Sequence, residues 1–453
     1  MFKRILIANR GEPAIRVIRS CRELGIETVV VYSEIDRDTL PVKLADRSIC
    51  IGPEAAADSY LNIPRILSAA EITGSEAIHP GCGFLADSVE LAETVEACKL
   101  HWIGPRSETM RKVSDRILTR NLARELGIPL LPGSEGDVAA AADAKKLADE
   151  IGYPVVLKPA RSSDLCWIVR KDRDLETTLR IAQAEAKAAF HDGRVFLERF
   201  LENARDIEVS VLGDAEGKVV HLCERESSIQ HRQQKIMDEA PSPIVTDDLR
   251  VRLCNWAVAL ARAAEYQSAG SVEFLADESG GIYFQGVHIG LQPAHPVTEA
   301  LLGCDLVAEQ IRIAANTPIM CRSPIGPDGA LPVDAPHVIQ CRINAEDAEK
   351  EFMPTSGEVT LFRIPGGPGV RVDTHVYSGY RGSAQYDSLV AKIIVWDSDR
   401  EKAITRMERA LQEMAIEGVT TTLEFHQKIL RLGAFRKGQL STSLIDREIL
   451  GLH

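Results

Sequence analysis

A chain of 453 residues is too long for one ordinary core and long enough for two or three domains. With 45% hydrophobic and 26% charged residues it reads as soluble and globular, and a net charge of −13 argues against a broad nucleic-acid surface, which needs clustered Lys and Arg. The 10 cysteines show no CxxC pair and no Cys/His metal spacing, which fits reduced thiols in a cytosol, and no apolar run reaches the length of a membrane span.

The predicted elements begin with a strand at Ile5-Leu6-Ile7-Ala8. Pro13 then sits in the first turn of a helix whose apolar side carries Ile15, Val17, Ile18 and Leu24. Thr28 to Tyr32 reads as a second strand, 63–72 as a helix, Ala77-Ile78 as a strand, 91–100 as a helix and Trp102-Ile103 as a strand. That alternation predicts a parallel sheet wrapped by helices, and the first strand is not followed by G-x-G-x-x-G, so it is no dinucleotide site by motif. A helix is expected over 113–126, stopped by Gly127 and Pro129, and another over 140–151, stopped by Gly152 and Pro154. Pro154 to Lys158 is a strand with a hairpin partner at 167–170, and 196–200 and 207–211 alternate as strands do. Residues 323–336, rich in Pro, Gly and Asp, mark a linker. Strands follow at 338–341 and 389–395, then a helix with a Ser398/Glu401 capping box and Ile404, Met407, Leu411 and Met414 on one face.

Several long segments carry a resemblance. They are IANRGEPAIRVIR at 7–19, DRDTLPVKLAD at 36–46, SYLNIPRILSAA at 59–70 and AIHPGCGFLAD at 77–87. Beyond them come QHRQQKIMDEAPSP at 230–243, HPVTE at 295–299, CRINAED at 341–347, PTSGEVTLFRIPGGPGVRVDTHVYSGY at 354–380 and YDSLVAKII at 386–394. In this order they make the chain resemble the biotin carboxylase family from end to end. The resemblance implies mixed α/β and α+β architecture: an N-terminal parallel-sheet domain (1–113), an ATP-grasp domain (114–322, with a flap subdomain near 131–203), the linker and a C-terminal domain (337–453). It implies a reaction in which ATP and bicarbonate give carboxyphosphate, which carboxylates biotin held on a carrier. This chain has no Met-Lys-Met biotin acceptor, so biotin is expected in trans and none covalently attached.

Residue by residue, the resemblance places Lys158 at the ATP phosphates, Glu198 to Leu201 at the adenine hinge, and Arg116 and Gln233 at further nucleotide-side positions. Lys235 falls on the bicarbonate side, and Arg342 at a catalytic arginine suited to bidentate anion contact. Glu273 matches one of two metal carboxylates. Arg19, Glu23 and Phe362 match positions at the family's dimer interface, which implies a homodimer or a mixed dimer with an active biotin carboxylase.

The departures are concentrated in two segments. The second metal carboxylate position is Gly286 and the neighbouring asparagine position is His288, a poor ligand for a cation that wants oxygen. The reaction's arginine position is Gly290, its general base is Ala294, and Pro293 lacks the N–H that would face the anion. After Lys158 the family has a glycine run that closes over the phosphates, whereas Pro159 to Trp167 contains no glycine and sets Asp164 where phosphate would lie. Arg116 stands at a lysine position, Asp206 and Gln233 at histidine positions, and Cys82 at a tyrosine position. A new metal pair of His288 with His295 is weighed against two structural histidines, and the latter is favoured. Cys82 and Cys166 are expected to be inert.

The sequence therefore predicts a cytoplasmic, catalytically deficient subunit of an acyl-CoA carboxylase system, with weakened ATP and Mg²⁺ binding. Its partners would be a biotin carrier protein and a carboxyltransferase, with no nucleic acid and no membrane. An active biotin carboxylase rescued by His288 and Gln292, and an ATP-grasp enzyme with changed substrates, are the alternatives.

Overall fold

In the computed structural model, residues 1–161, 165–326, 328–383 and 385–451 are described. The N-terminal sheet consists of β1 (Arg4–Ile7), β2 (Glu27–Ser33), β3 (Arg47–Gly52), β4 (Ala77–His79) and β5 (His101–Trp102), ordered β3-β2-β1-β4-β5. Every pairing in it is parallel. Ile5, Leu6 and Ile7 are all 0% exposed, which explains why β1 is a continuous apolar run: a parallel strand is covered on both faces. The helix Gly11–Glu23 packs Val17 and Ile18 inward, as its apolar spacing predicts.

The helix expected over 113–126 is two helices, Ser107–Ser114 and Arg116–Glu125. Asp115 separates them because its Oδ1 accepts from the N–H groups of Ile117 and Leu118 at 2.9 and 3.0 Å, an N-cap that restarts the chain. A three-stranded antiparallel sheet follows, β7-β6-β8, from β6 (Val155–Pro159), β7 (Trp167–Val169) and β8 (Val195–Arg199). Its Val155, Leu157 and Leu197 form a small core with helices Ala141–Ile151 and Asp172–Phe190.

The remaining strands build one sheet that carries the site. They are β9 (Arg205–Gly213), β10 (Val219–His231), β11 (Gln234–Ala240), β12 (Ser268–Ala276), β13 (Ile282–Ile289) and β14 (His337–Asn344), joined by Leu389–Asp397 and Val370–Thr374. The order is β13-β12-β9-β10-β11-β14, then Leu389–Asp397 and Val370–Thr374. Pairing of β11 with β14 carries the sheet across the Pro/Gly-rich stretch, whose described residues form neither helix nor strand. The capping box expected at Ser398/Glu401 is replaced by Asp399, whose Oδ1 accepts from Lys402 N–H at 2.9 Å, one residue later than the sequence reading.

Buried ion pairs tie the segments together. Arg16 Nη2 reaches Glu299 Oε1 and Asp305 Oδ1, each at 2.7 Å, while Arg371 Nη1 reaches Glu299 Oε2 at 2.8 Å. Lys392, fully buried, meets Glu12 at 3.0 Å. Removing one partner of such a pair leaves an uncompensated charge, so these contacts fix how the segments dock.

Candidate functional site

Strand register places the key residues. In adjacent strands β9, β12 and β13, Glu208 lies opposite Glu273, and Glu273 lies opposite Gly286. A side chain at 286 would extend this row, since a Cβ built there lies 3.9 Å from Glu273 Oε2 and meets nothing closer. The position is therefore open in space but holds no ligand atom. His288 lies opposite Ser271, diagonal to Glu273, and its Nε2 hydrogen-bonds Glu273 Oε1.

The carboxylates are met by the chain's own cations. Lys235 Nζ donates to Glu273 Oε1 at 2.6 Å, contacts Asp206 Oδ2 at 3.3 Å and bonds Glu208. Arg225, buried, donates to Glu208 and to Gln292 Oε1. Three carboxylates (Asp206, Glu208, Glu273) thus face an ammonium, a guanidinium and an imidazole. Burial pushes Glu273 up, but His288 and Lys235 outweigh it and hold this carboxyl well below the usual range. Glu208 is likewise held low against burial by Arg225 and Lys235. Burial and the neighbouring Glu273 and Glu208 push Asp206 up to about 7 despite Lys235. Burial lowers His288, and Glu273 more than restores it, so the imidazole titrates above its ordinary value.

Mg²⁺ wants six oxygens in near-octahedral array, supplied by carboxylates, substrate phosphate and water. The atoms able to bind a cation here are one oxygen each from Glu208 and Glu273 and a nitrogen of His288, all within 4.8 Å of one another. Both carboxylates are already engaged by Lys235, and one donor is an imidazole. The residues present do not fit a tightly held Mg²⁺.

The expected base and anion donors lie beside this row. Ala294 is buried at the start of helix His295–Leu302, with only a methyl group to offer. Gly290 has φ +75°, and its N–H donates to Tyr266 Oη at 3.0 Å. The carbonyl of Pro293 accepts from Gln340 Nε2 at 3.3 Å. His295 is buried, with Nδ1 on the carbonyl of Gln292 at 2.7 Å and no hydrogen-bond partner for Nε2 among the described residues, while His288 gathers with Glu208 and Glu273. Arg342 grips Asp238 through Nε at 3.1 Å and Nη2 at 2.9 Å, an internal carboxylate in place of a free anion.

On the three-stranded sheet, Lys158 and Glu198 share one face, and Lys158 Nζ donates to Glu198 Oε1 at 2.7 Å. Arg120 bonds the other oxygen and lies over the Phe196 ring at 5.1 Å. Burial pushes Glu198 up, yet Lys158 and Arg120 hold it below its ordinary value. Trp167 lies opposite Leu157 and packs into the other face, with Nε1 donating to Glu185 at 3.1 Å, so it does not cover Lys158. Arg116 opens its helix, its N–H donating to the carbonyl of Ala160 at 2.7 Å. Leu201 follows β8, half-buried. Gln233, in the turn between β10 and β11, donates to Cys166 Sγ at 2.7 Å. Asp164, expected at the phosphates, lies outside the described residues.

Structure thus brings Lys235, Glu273 and His288 together at one place and Lys158 with Glu198 at another. Glu208, Arg225, Asp238 and Arg120 were not singled out from sequence. For Glu208 a signal existed: it alternates with Ile207 and Val209, which puts it on the face of Asp206 and Ser210. No local pattern marks Arg120, and the 230–243 segment includes Asp238 without showing its bond to Arg342; their partners lie 78 and 104 residues away.

Family models match three stretches: "Biotin carboxylase, N-terminal domain" over 1–110, "Carbamoyl-phosphate synthase L chain, ATP binding domain" over 115–321 and "Biotin carboxylase C-terminal domain" over 340–447. The chain is 42% identical over 450 residues to biotin carboxylase 1 of Bacillus subtilis, covering 98% of each chain. It is 44% identical over 447 residues to the biotin carboxylase of a Nostoc species, covering 98% of this chain and 99% of that one. Its fold is similar to the solved biotin carboxylase domain dimer of the Hydrogenobacter thermophilus 2-oxoglutarate carboxylase in complex with MgADP, ADP and bicarbonate. There the TM-score is 0.94 at 40% identity, covering 99% of this chain and 98% of that one.

Proposed function

The chain belongs to the biotin carboxylase family, and on that footing we propose that it serves as the biotin carboxylase-type subunit of a biotin-dependent carboxylase while its own turnover of ATP, bicarbonate and biotin is strongly reduced. The observation that carries the second half is the row Glu208–Glu273–Gly286, in which the third carboxylate is missing and the first two are neutralised by Lys235, Arg225 and His288. Ala294 cannot take a proton, and loss of a general base alone costs ~10²–10⁴ in rate. Gly290 and Pro293 supply no anion donor, which costs about as much again.

The opposite reading is an active enzyme that forms carboxybiotin on a separate carrier. The names of the full-length relatives favour it, as do Lys158, Lys235, Glu273 and Arg342, which stand at their expected positions. Both readings place the chain with a biotin carrier and a carboxyltransferase in the cytoplasm. Among the described residues no helix is long and apolar enough to cross a membrane. Self-association or pairing with an active biotin carboxylase is supported by the dimeric form of the Hydrogenobacter relative and by Arg19 and Glu23, both exposed.

The assembly is tested by capturing the tagged chain from its host under native conditions and blotting for biotinylated protein. Co-elution of a biotinylated carrier and a carboxyltransferase supports the proposal. Elution with no biotinylated protein under conditions that keep other carboxylases intact contradicts it.

A further inference from the structure

We propose that Glu208, Glu273 and His288 form a binding site for a late first-row divalent cation such as Zn²⁺, in place of the Mg²⁺ that these residues do not fit. The inference goes beyond the proposed loss of turnover and stands whether or not the chain cleaves ATP. Geometry carries it: one oxygen each from Glu208 and Glu273 and a ring nitrogen of His288 lie within 4.8 Å of one another. Ligand atoms held ~2.0–2.2 Å from one ion stand at most about 4.4 Å apart, so a small side-chain movement closes the set.

Donor chemistry selects the ion. Zn²⁺ takes imidazole nitrogen and carboxylate oxygen together, and imidazole also suits Cu, Fe and Ni, whereas Mg²⁺ demands oxygen. Position 288 decides between the two classes, because the family resemblance expects an asparagine oxygen there and this chain has a ring nitrogen. Lys235 competes for both carboxylates, and the imidazole is the ligand that it does not occupy.

Two unused oxygens show how the ammonium gives way. Asp206 is 7% exposed and its Oδ1 has no hydrogen-bond partner, although Oδ2 lies 3.3 Å from the same Lys235 Nζ. Lys235 can pass wholly to Asp206, which satisfies that oxygen and releases Glu208 and Glu273. Lys235 and His288 both bond Glu273 Oε1, and Oε2 makes no hydrogen bond among the described residues. A Cβ at Gly286 would lie 3.9 Å from Oε2 and meet nothing closer, so this oxygen faces open space. Arg225 bonds Glu208 Oε2 and leaves Oε1, the atom that Lys235 holds, for the ion.

Charge and access agree with this reading. Asp206, Glu208 and Glu273 outnumber Lys235 and Arg225, so negative charge is left for an added cation when the imidazole is neutral. The His288 side chain is 36% exposed, which gives an ion a way in.

The test uses Co²⁺, whose visible spectrum reports its own coordination. The metal-stripped full chain is titrated with Co²⁺ in the absence of ATP, bicarbonate and biotin. Expected is one equivalent bound with the strong visible bands of a four- or five-coordinate ion, no thiolate charge-transfer band, displacement by Zn²⁺ and none by millimolar Mg²⁺. H288N should weaken Co²⁺ binding by about 100-fold or more, since even outer-shell partners of a metal are worth roughly 10–100-fold. H288C should bind Co²⁺ with a thiolate charge-transfer band that wild type lacks, which identifies position 288 as a ligand. Equal Co²⁺ affinity in wild type and H288N, a thiolate band in wild type, or no visible band at millimolar Co²⁺ would each overturn the proposal, and none of these results bears on turnover.

Discussion

The His288 imidazole and the Glu273 carboxylate are hydrogen-bonded across β12 and β13, and Lys235 binds the same carboxylate oxygen at 2.6 Å. A carboxylate at an expected metal-binding position is thus held by two side chains of its own protein. This one relationship links strand register, charge balance and the proposed loss of turnover.

The pair makes stability depend on pH. Glu273 titrates below its unfolded value, so its contribution is complete above ~4.3 and is lost as pH falls through the depressed value. His288 titrates above its unfolded value, so its contribution is complete below ~6.5 and is lost as pH rises through the raised value. Both contribute fully between those limits. The thermal midpoint of wild type minus that of H288N should therefore be largest near pH 5–6 and shrink on the alkaline side. An equal difference at every pH would show that the imidazole carries no linked charge.

Glu198 compensates two buried cations, Lys158 and Arg120, with all three side chains at most 11% exposed. E198A leaves both uncompensated and should destabilise the fold by ~3–5 kcal/mol. K158M, which leaves Glu198 its bond from Arg120, should cost less. Urea unfolding of the two variants checks the order.

Restoring the row should restore cation binding. In G286E/H288N a third carboxylate faces Glu273 and the competing imidazole is gone, so millimolar Mg²⁺ should raise its thermal midpoint by ligand linkage while leaving wild type unchanged. Without Mg²⁺ the variant should be less stable than wild type above about pH 6, because like charges oppose each other across strands. Adding A294E should raise bicarbonate-dependent ATP cleavage above that of G286E/H288N. G290R is a poorer choice, since Gly290 sits at φ +75°, which strains a side chain.

Much of the N-terminal sheet was legible because a doubly covered parallel strand is a plain apolar run, as at Ile5 to Ile7. The helix break at Asp115 and the cap at Asp399 were missed, since each is one side-chain hydrogen bond that apolar periodicity does not report. At the site, the residues that motif comparison singles out, Glu273, Gly286 and His288, stand on neighbouring strands. What sequence left hidden is the answering charge: Arg225 on Glu208, Asp238 on Arg342 and Arg120 on Glu198 are contacts between distant positions. A motif shows which residue types stand at the expected positions and does not show which charges face them.

The most direct measurement is bicarbonate-dependent ATP cleavage by the purified full chain with free biotin and Mg²⁺, beside an active biotin carboxylase under the same conditions. The account predicts a rate at least ~10²-fold below that enzyme, the smallest loss expected from the missing base alone. Turnover at the rate of the active enzyme would contradict it and establish that the His288–Glu273–Lys235 cluster supports the family's reaction.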